Sequence, residues 1–265
     1  MNVAIVTVGD EILAGSTTNT NASWLAERMT ERGSTVECIL TIPDDRALIA
    51  DYVARWSDDF DAVVVTGGIG GTPDDVTVEA VADGLDREYV VHGEIRERLV
   101  EKAAAFRDEN PDLVEDYDLQ LDVDAAASIP AGATPIVTDE GWAPGCIAEN
   151  VYVFAGIPDE MKAMFEAVSE EFQGDSVART LYTPAPEGAL HEALEAVSER
   201  FDVSVGSYPR SENRPGRLRV SSTDPETVEE AVEWLRANVE TTEPPVAEGD
   251  EDEGVDGDGD EGAVE

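Results

Sequence analysis

The run from Val3 to Val8 is apolar at almost every position and stops at Gly9-Asp10-Glu11. Without polar alternation, it predicts a strand buried on both faces, as in a parallel sheet. Ala22, Leu25 and Met29 then recur at helical spacing across residues 20 to 32, with Thr20 or Asn21 to cap the start and Gly33 to end it. Val36, Cys38, Leu40 and Ile42 alternate as a second strand, and Pro43-Asp44-Asp45 opens a helix with Leu48, Ile49, Tyr52, Val53 and Trp56 inward. A third strand, Asp61 to Val65, runs into Thr66-Gly67-Gly68-Ile69-Gly70-Gly71-Thr72-Pro73-Asp74-Asp75-Val76-Thr77. A helix over Glu94 to Arg107 buries Ile95, Leu99, Ala103 and Phe106 and breaks at Asn110-Pro111. Strands are expected at Thr134 to Thr138 and Val151 to Ala155, after which Gly156-Ile157-Pro158 turns into a helix over Asp159 to Phe172.

Strands alternating with helical stripes imply right-handed crossovers and a mainly parallel sheet with helices on both faces, an α/β three-layer sandwich over residues 1 to 174. Ligands of such a sheet sit beyond the carboxyl ends of its strands. After Gly174 the pattern becomes strand (Arg179 to Thr183), helix (Gly188 to Arg200), strand (Val203 to Ser207), strand (Arg217 to Ser221) and helix (Asp224 to Val239). This is a small α+β domain, βαββα, over residues 175 to 240, with Pro225 at the first turn of its last helix. From 241 to 265 the chain is rich in Asp, Glu and Gly and has no aromatic residue, so a disordered acidic tail is expected.

Charge narrows the classes of partner. Sixty acidic residues stand against 17 basic ones, a formal net charge of −43, and the acidic residues crowd the helical segments as well as the tail. That field repels nucleic acid and anionic membranes. It also destabilises a compact chain unless dense salt screens it, which points to a halophilic source. Cys38 and Cys146 each sit in an apolar stretch, which favours buried free thiols over a disulfide. The N-terminus has no basic region and no apolar run reaches the roughly 20 residues of a membrane span, so a cytoplasmic protein is expected.

Two loops carry candidate chemistry, and each follows a predicted strand. After the third strand, Gly67, Gly68, Gly70 and Gly71 let backbone amides approach an anion, and the following helix start adds partial positive charge. Phosphate suits that loop, with Thr66 and Thr72 as further hydroxyl donors. Asp74 and Asp75 would repel the phosphate unless a divalent cation such as Mg, Mn or Co stood between them. The first loop contributes Asp10 and Glu11. The plainer reading of the glycine loop is a tight strand-to-helix turn capped by Asp74 or Asp75. It has neither the lysine of a P-loop nor the glycine spacing of a dinucleotide fingerprint. His92, His191 and the acidic helix faces read as packing or surface, and Trp142 as an apolar wall or a stacking surface.

Read in order, GDEILAG with Thr20-Asn21, TGGIGGTPDDVT, Gly141-Trp142-Ala143-Pro144-Gly145 and Ala155-Gly156-Ile157-Pro158-Asp159-Glu160-Met161 resemble the CinA N-terminal domain of the MoaB/Mog molybdopterin-binding superfamily. Val205-Gly206-Ser207-Tyr208-Pro209 resembles part of the small domain that follows it in CinA proteins. The resemblance implies a pocket for a small-molecule nucleotide or for molybdopterin. One branch of the family transfers an adenylyl group to molybdopterin, and the CinA domain resembles a metal-dependent ADP-ribose pyrophosphatase. A pyrophosphatase acting on ADP-ribose is the leading expectation. Adenylyl transfer in molybdenum-cofactor biosynthesis and non-catalytic pterin or nucleotide binding are the alternatives, and a homo-oligomer is compatible with the family.

Carried over by position, Asp75, Asp10 and Glu11 are the catalytic candidates and Asp75 with Asp74 the metal candidates. Thr66, Gly67, Gly68, Gly70 and Thr72 would hold the ligand, with Pro144, Gly145, Gly156 and Pro158 as the opposite wall. The chain departs from the family at Gly71, where proline is common, and at Ala125-Ala126-Ala127, where a basic-Gln-Ala run is common, so a polar contact to phosphate or base is expected to be missing.

Overall fold

A computed structural model of the chain describes residues 1–113, 122–210 and 215–243. These residues form two compact units, Met1–Ser176 and a second that begins at Val177. In the first unit the apolar runs become β1 (Asn2–Val8), β2 (Thr35–Ile42) and β3 (Ala62–Thr66), joined by α2 (Thr20–Glu31) and α3 (Arg46–Asp59). A single helical turn, α1 (Asp10–Leu13), directly follows β1. The core of β1 and all of β3 are buried on both sides, which is why their sequences show no alternation.

The sheet has six strands in the order β2-β1-β3-β8-β7-β6, where β6 is Thr134–Ile136, β7 Gly145–Ala148 and β8 Val151–Phe154. β2, β1, β3 and β8 run parallel, while β7 opposes both of its neighbours. The crossover from β1 to β2 and the return past β1 to β3 move in opposite directions, so right-handedness puts α2 and α3 on opposite faces. α2 packs on α7 (Pro158–Val168), with Trp24 edge-on to Phe165 at 5.4 Å. α3 packs on α4 (Thr77–Gly84). The first unit is thus a mainly parallel α/β sandwich. An antiparallel ribbon of β4 (Tyr89–Val91) and β5 (Ser128–Pro130), with α5 (Gly93–Glu109) and the short α6 (Val123–Ala126), completes the unit.

Local chemistry moves several predicted boundaries. The cap of α2 is Asn19 rather than Thr20 or Asn21, since its side chain accepts from Ala22 N at 3.1 Å. Gly33 does end α2, at φ +85°. Neither Asp74 nor Asp75 caps α4; its cap position is Val76, with no side-chain bond. The helix expected to Phe172 tightens after Val168 into a 3-10 turn, Ser169–Phe172. The strand expected to Thr138 stops at Ile136. Both cysteines are free, but Cys38 is only half-buried; burial pushes the Cys146 thiol up to about 12.

The second unit has β9 (Val177–Thr183), α8 (His191–Arg200), β10 (Ser204–Tyr208), β11 (Gly216–Ser222) and α9 (Pro225–Asn238). The helix expected from Gly188 begins at His191, after a 3-10 turn over Glu187–Ala189. Its antiparallel sheet, ordered β10-β11-β9, packs Leu181, Leu218 and Val220 on Val197, Val228, Val232 and Leu235. The segment expected to lose structure at 241 first makes a bridge from Thr242 to Tyr182. The rest of the predicted acidic tail, from 244, lies outside the described residues. No helix among the described residues is long and apolar enough to cross a membrane.

Candidate functional site

The carboxyl ends of β1, β3 and β8 open onto one cleft of about 550 Å³, within the range of small-molecule sites. Its floor is polar even though the strands are not. Thr7 and Thr66 are buried there; Thr66 Oγ1 donates to Ala155 O at 2.7 Å, and Asn19 Nδ2 donates to Thr7 Oγ1 at 3.0 Å.

From this floor the chain turns through Gly67 and Gly68, at φ +104° and +65°. Glycine is required at both positions, because a Cβ on Gly67 would collide with the Val8 carbonyl and one on Gly68 would lie 2.5 Å from Thr77 Oγ1. Gly67 N donates to Phe154 O at 3.2 Å, whereas among the described residues the amides of Gly68, Ile69, Gly70 and Gly71 meet no protein acceptor. Such a run of free amides before a helix can take the oxygens of an anion. Asp75 folds the outer limb back: its Oδ2 accepts from Thr72 N at 2.8 Å and from Thr72 Oγ1 at 2.6 Å.

Of the predicted residues, Glu11, Thr66, Gly67, Gly68, Gly70, Thr72, Asp74, Asp75, Gly156 and Pro158 all line the cleft. Three do not. Asp10 lies outside the lining, its backbone N–H donating to Asp44 Oδ2 at 2.9 Å. Pro144 and Gly145 are also outside, because β7 is a buried antiparallel strand in which Gly145 backs onto Val153 and Met164. Thr66 and Thr72 cannot give the hydroxyl protons expected of them, since Ala155 O and Asp75 take them. Ala125-Ala126-Ala127 belongs to the β4–β5 region and not to the cleft, so that departure removes no contact from this wall. Trp142 leaves the cleft to pack edge-on to Phe106 at 5.5 Å.

The sequence reading missed Asp44, Asn21 and Glu160 as cleft residues. Asp44 follows the carboxyl end of β2 and reaches the same sheet edge, a signal that its place before a helix obscured. Burial holds its carboxyl above the usual 3.8, and the negative charges of Asp10, Glu11 and Asp74 push the same way against the bond from Asp10 N. Burial likewise raises Glu160, opposed by Lys102. Carboxylates of Glu11, Asp44, Asp74, Asp75 and Glu160 line the cleft, and among the described residues no lysine or arginine does.

Among the described residues no three His, Cys, Asp or Glu side chains converge into a metal cage, and Asp75 is turned onto Thr72. This donor set fits a hard divalent ion that arrives with a phosphorylated ligand and takes one or two protein carboxylates, phosphate oxygens and water.

Comparison with known proteins shows the family of the chain. Residues 4–174 match the family described as "Probable molybdopterin binding domain", and residues 175–244 match "FAD synthase, middle domain". A protein of Archaeoglobus fulgidus is 37% identical over 236 residues, covering 88% of this chain and 95% of its own length. A protein of Pyrococcus furiosus is 33% identical over 248 residues, covering 89% and 96%. The crystal structure of CinA from Thermoplasma acidophilum, titled as a protein of unknown function, superposes with a TM-score of 0.54 at 28% identity, covering 64% of this chain and 97% of that one.

Proposed function

Since the chain belongs to the MoaB/Mog-type molybdopterin-binding domain family, with a CinA-like first unit and an FAD synthase-type middle domain after it, we infer that its cleft binds and hydrolyses a nucleotide-like diphosphate. The observation that carries this reading is the pairing of a run of free amides with a lining of carboxylates and, among the described residues, no basic side chain. Alone, an anionic ligand would be repelled; as a complex with a divalent ion it would match both halves of the site.

In this reading the amides of Gly68 to Gly71 and the start of α4 hold the phosphate oxygens. Asp44 and the Asp74–Asp75 corner would hold the ion, which would neutralise the diphosphate and polarise phosphorus. Asp75 has a second task, bracing the cradle through Thr72. Glu11 accepts the proton of the attacking water. The bridging P–O bond breaks as the new one forms, and ADP-ribose yields AMP and ribose 5-phosphate.

The test is product analysis of the purified chain in molar KCl with Mg²⁺, Mn²⁺ or Co²⁺, offered ADP-ribose, FAD and other dinucleotides. Metal-dependent release of AMP from ADP-ribose is expected; no cleavage with any metal rejects the hydrolase. The family's description favours one other reading, a pterin ligand. Adenylation of molybdopterin by ATP, or tight pterin binding without any product, would be its signature.

A further inference from the structure

The sheet of the second unit has a face that the chemistry above leaves unused. Helices α8 and α9 pack on the side of Leu181, Leu218 and Val220. Side chains alternate along a strand, so β11 turns Arg217 and Arg219 to the opposite side. The register supplies their neighbours: Tyr208 and Tyr182 flank Arg217, while Gly206 and Thr180 flank Arg219. Neither these positions nor the next row of the register holds a carboxylate, in a chain with 60 acidic residues. Both arginines are half-buried, and among the described residues neither has an ion-pair partner. Arg179, on the helix side of the same sheet, is by contrast paired with Glu229 of α9 at 2.8 Å.

Tyr208 gives this face its shape. Its ring reaches back along β10 into the space a side chain at Gly206 would need, where a Cβ would stand 3.1 Å from Tyr208 Cε2. A glycine inside a strand weakens it and marks a place that something else approaches closely. Arg217 Cζ lies over the same ring at 5.0 Å from its centroid, yet Tyr208 remains 43% exposed. An accessible aromatic ring beside two guanidiniums without carboxylates suits a ligand that carries both a flat ring and an anion. Adjacent strands are about 4.8 Å apart and alternate residues of one strand about 7 Å, so a ring stacked at Tyr208 leaves a phosphate on its sugar within reach of both arginines. A long polyanion would meet the field of a chain at −43, whereas a single nucleotide meets chiefly these two charges.

We propose that this face is a second binding site, for a free nucleoside phosphate, with the base stacked on Tyr208 and the phosphate held by Arg217 and Arg219. The site needs no divalent ion, because the guanidiniums supply the positive charge that the cleft of the first unit lacks. Stacking tolerates any base, so the phosphate and the ring are what the site reads.

The experiment is titration of the intact chain in molar KCl and EDTA, followed by equilibrium dialysis and by amide NMR shifts. The probes are AMP, adenosine and a short oligodeoxyadenylate. AMP should bind the parent protein and move the amides of β9, β10 and β11. Tyr208→Leu should weaken AMP roughly fivefold to a hundredfold, the range for losing a base-stacking ring. Tyr208→Phe keeps the ring and should bind within about twofold of the parent. Arg219→Gln should weaken AMP several-fold and leave adenosine unchanged. No AMP binding in EDTA overturns the proposal, as does binding that Tyr208→Leu and Arg219→Gln leave intact. Equal losses of AMP and adenosine on Arg219→Gln would mean that no phosphate is held there, and the assignment falls. An oligonucleotide that binds where AMP does not would make the face one for nucleic acid and overturn the free nucleotide. If a variant does not fold, the parent protein still decides: AMP shifts confined to the first unit reject the site. With divalent ions removed, none of these outcomes bears on the metal-dependent reading of the cleft.

Discussion

Replacing Gly67 with alanine tests the cradle at its most constrained point. At φ +104° an L-residue is held where side chains rarely go, a strain of roughly 1–3 kcal/mol. The new Cβ would be driven into the Val8 carbonyl, which cannot easily retreat because Val8 is in register with Ile42 and Gly9 N donates to Ile42 O. Forcing one methyl group into packed surroundings adds about 1–3 kcal/mol. The sum is at least about 2 kcal/mol, which in a domain of this size lowers the melting temperature by at least about 4 °C. Gly71→Ala is the matched control, with no positive φ and no atom within 4 Å of the added Cβ. It should melt within about 2 °C of the parent. Scanning calorimetry of both variants of the intact chain in molar KCl gives the comparison. Two variants that melt alike, or a Gly67→Ala protein as stable as the parent, would refute the steric account of this loop.

Asp75→Asn should abolish turnover of any accepted dinucleotide while shifting the melting temperature only a few degrees (about 1 kcal/mol), because its exposed bonds to Thr72 are partly kept by an amide oxygen; retained activity removes Asp75 from the chemistry. Asp44→Asn should stabilise the protein at neutral pH. The Asp44 carboxyl is raised above 3.8 in the folded state, so its ionisation works against folding at higher pH and the penalty disappears as pH falls through the raised value towards 3.8. Melting curves across that window should show the gain of Asp44→Asn vanish on the acid side, and a gain independent of pH would contradict the assignment. With a net charge of −43, the melting temperature should climb steadily between tenth-molar and molar KCl; a flat response would show that self-repulsion is already balanced within the fold.

The sequence announces the sandwich where burial is two-sided and long. Val3 to Val8 and Asp61 to Val65 read as central strands, and Leu25, Met29, Ile49 and Val53 mark which helix faces meet them. It says little about β4 and β5, three residues each, or about the reversal at β7, whose four residues follow an irregular turn with no periodicity to read. The glycine turn at the sheet edge was legible because four glycines between a buried strand and a helix mark backbone that bends where side chains cannot. Side-chain traffic was not. Nothing in the order of residues shows that Thr66 gives its proton to Ala155, that Asp10 offers Asp44 its amide, or that Asn19 takes the cap while Asn21 ties α2 to Gly156. Those assignments depend on strand ends brought side by side by crossovers, which a linear pattern does not encode.

The reversed strand β7 also has an architectural consequence. The connection from Ile136 to Gly145 is a plain reversal between antiparallel neighbours and not a crossover, yet its Ala143 reaches the cleft. It hangs from α5 by Arg98, which donates to Thr138 O at 2.9 Å, and by Lys102, which donates to Gly141 O. A segment of this kind can grow or shrink without rerouting a single helix. It is the point at which a protein engineer could graft a longer rim to retune ligand choice, leaving the sheet and its glycine turn as they are.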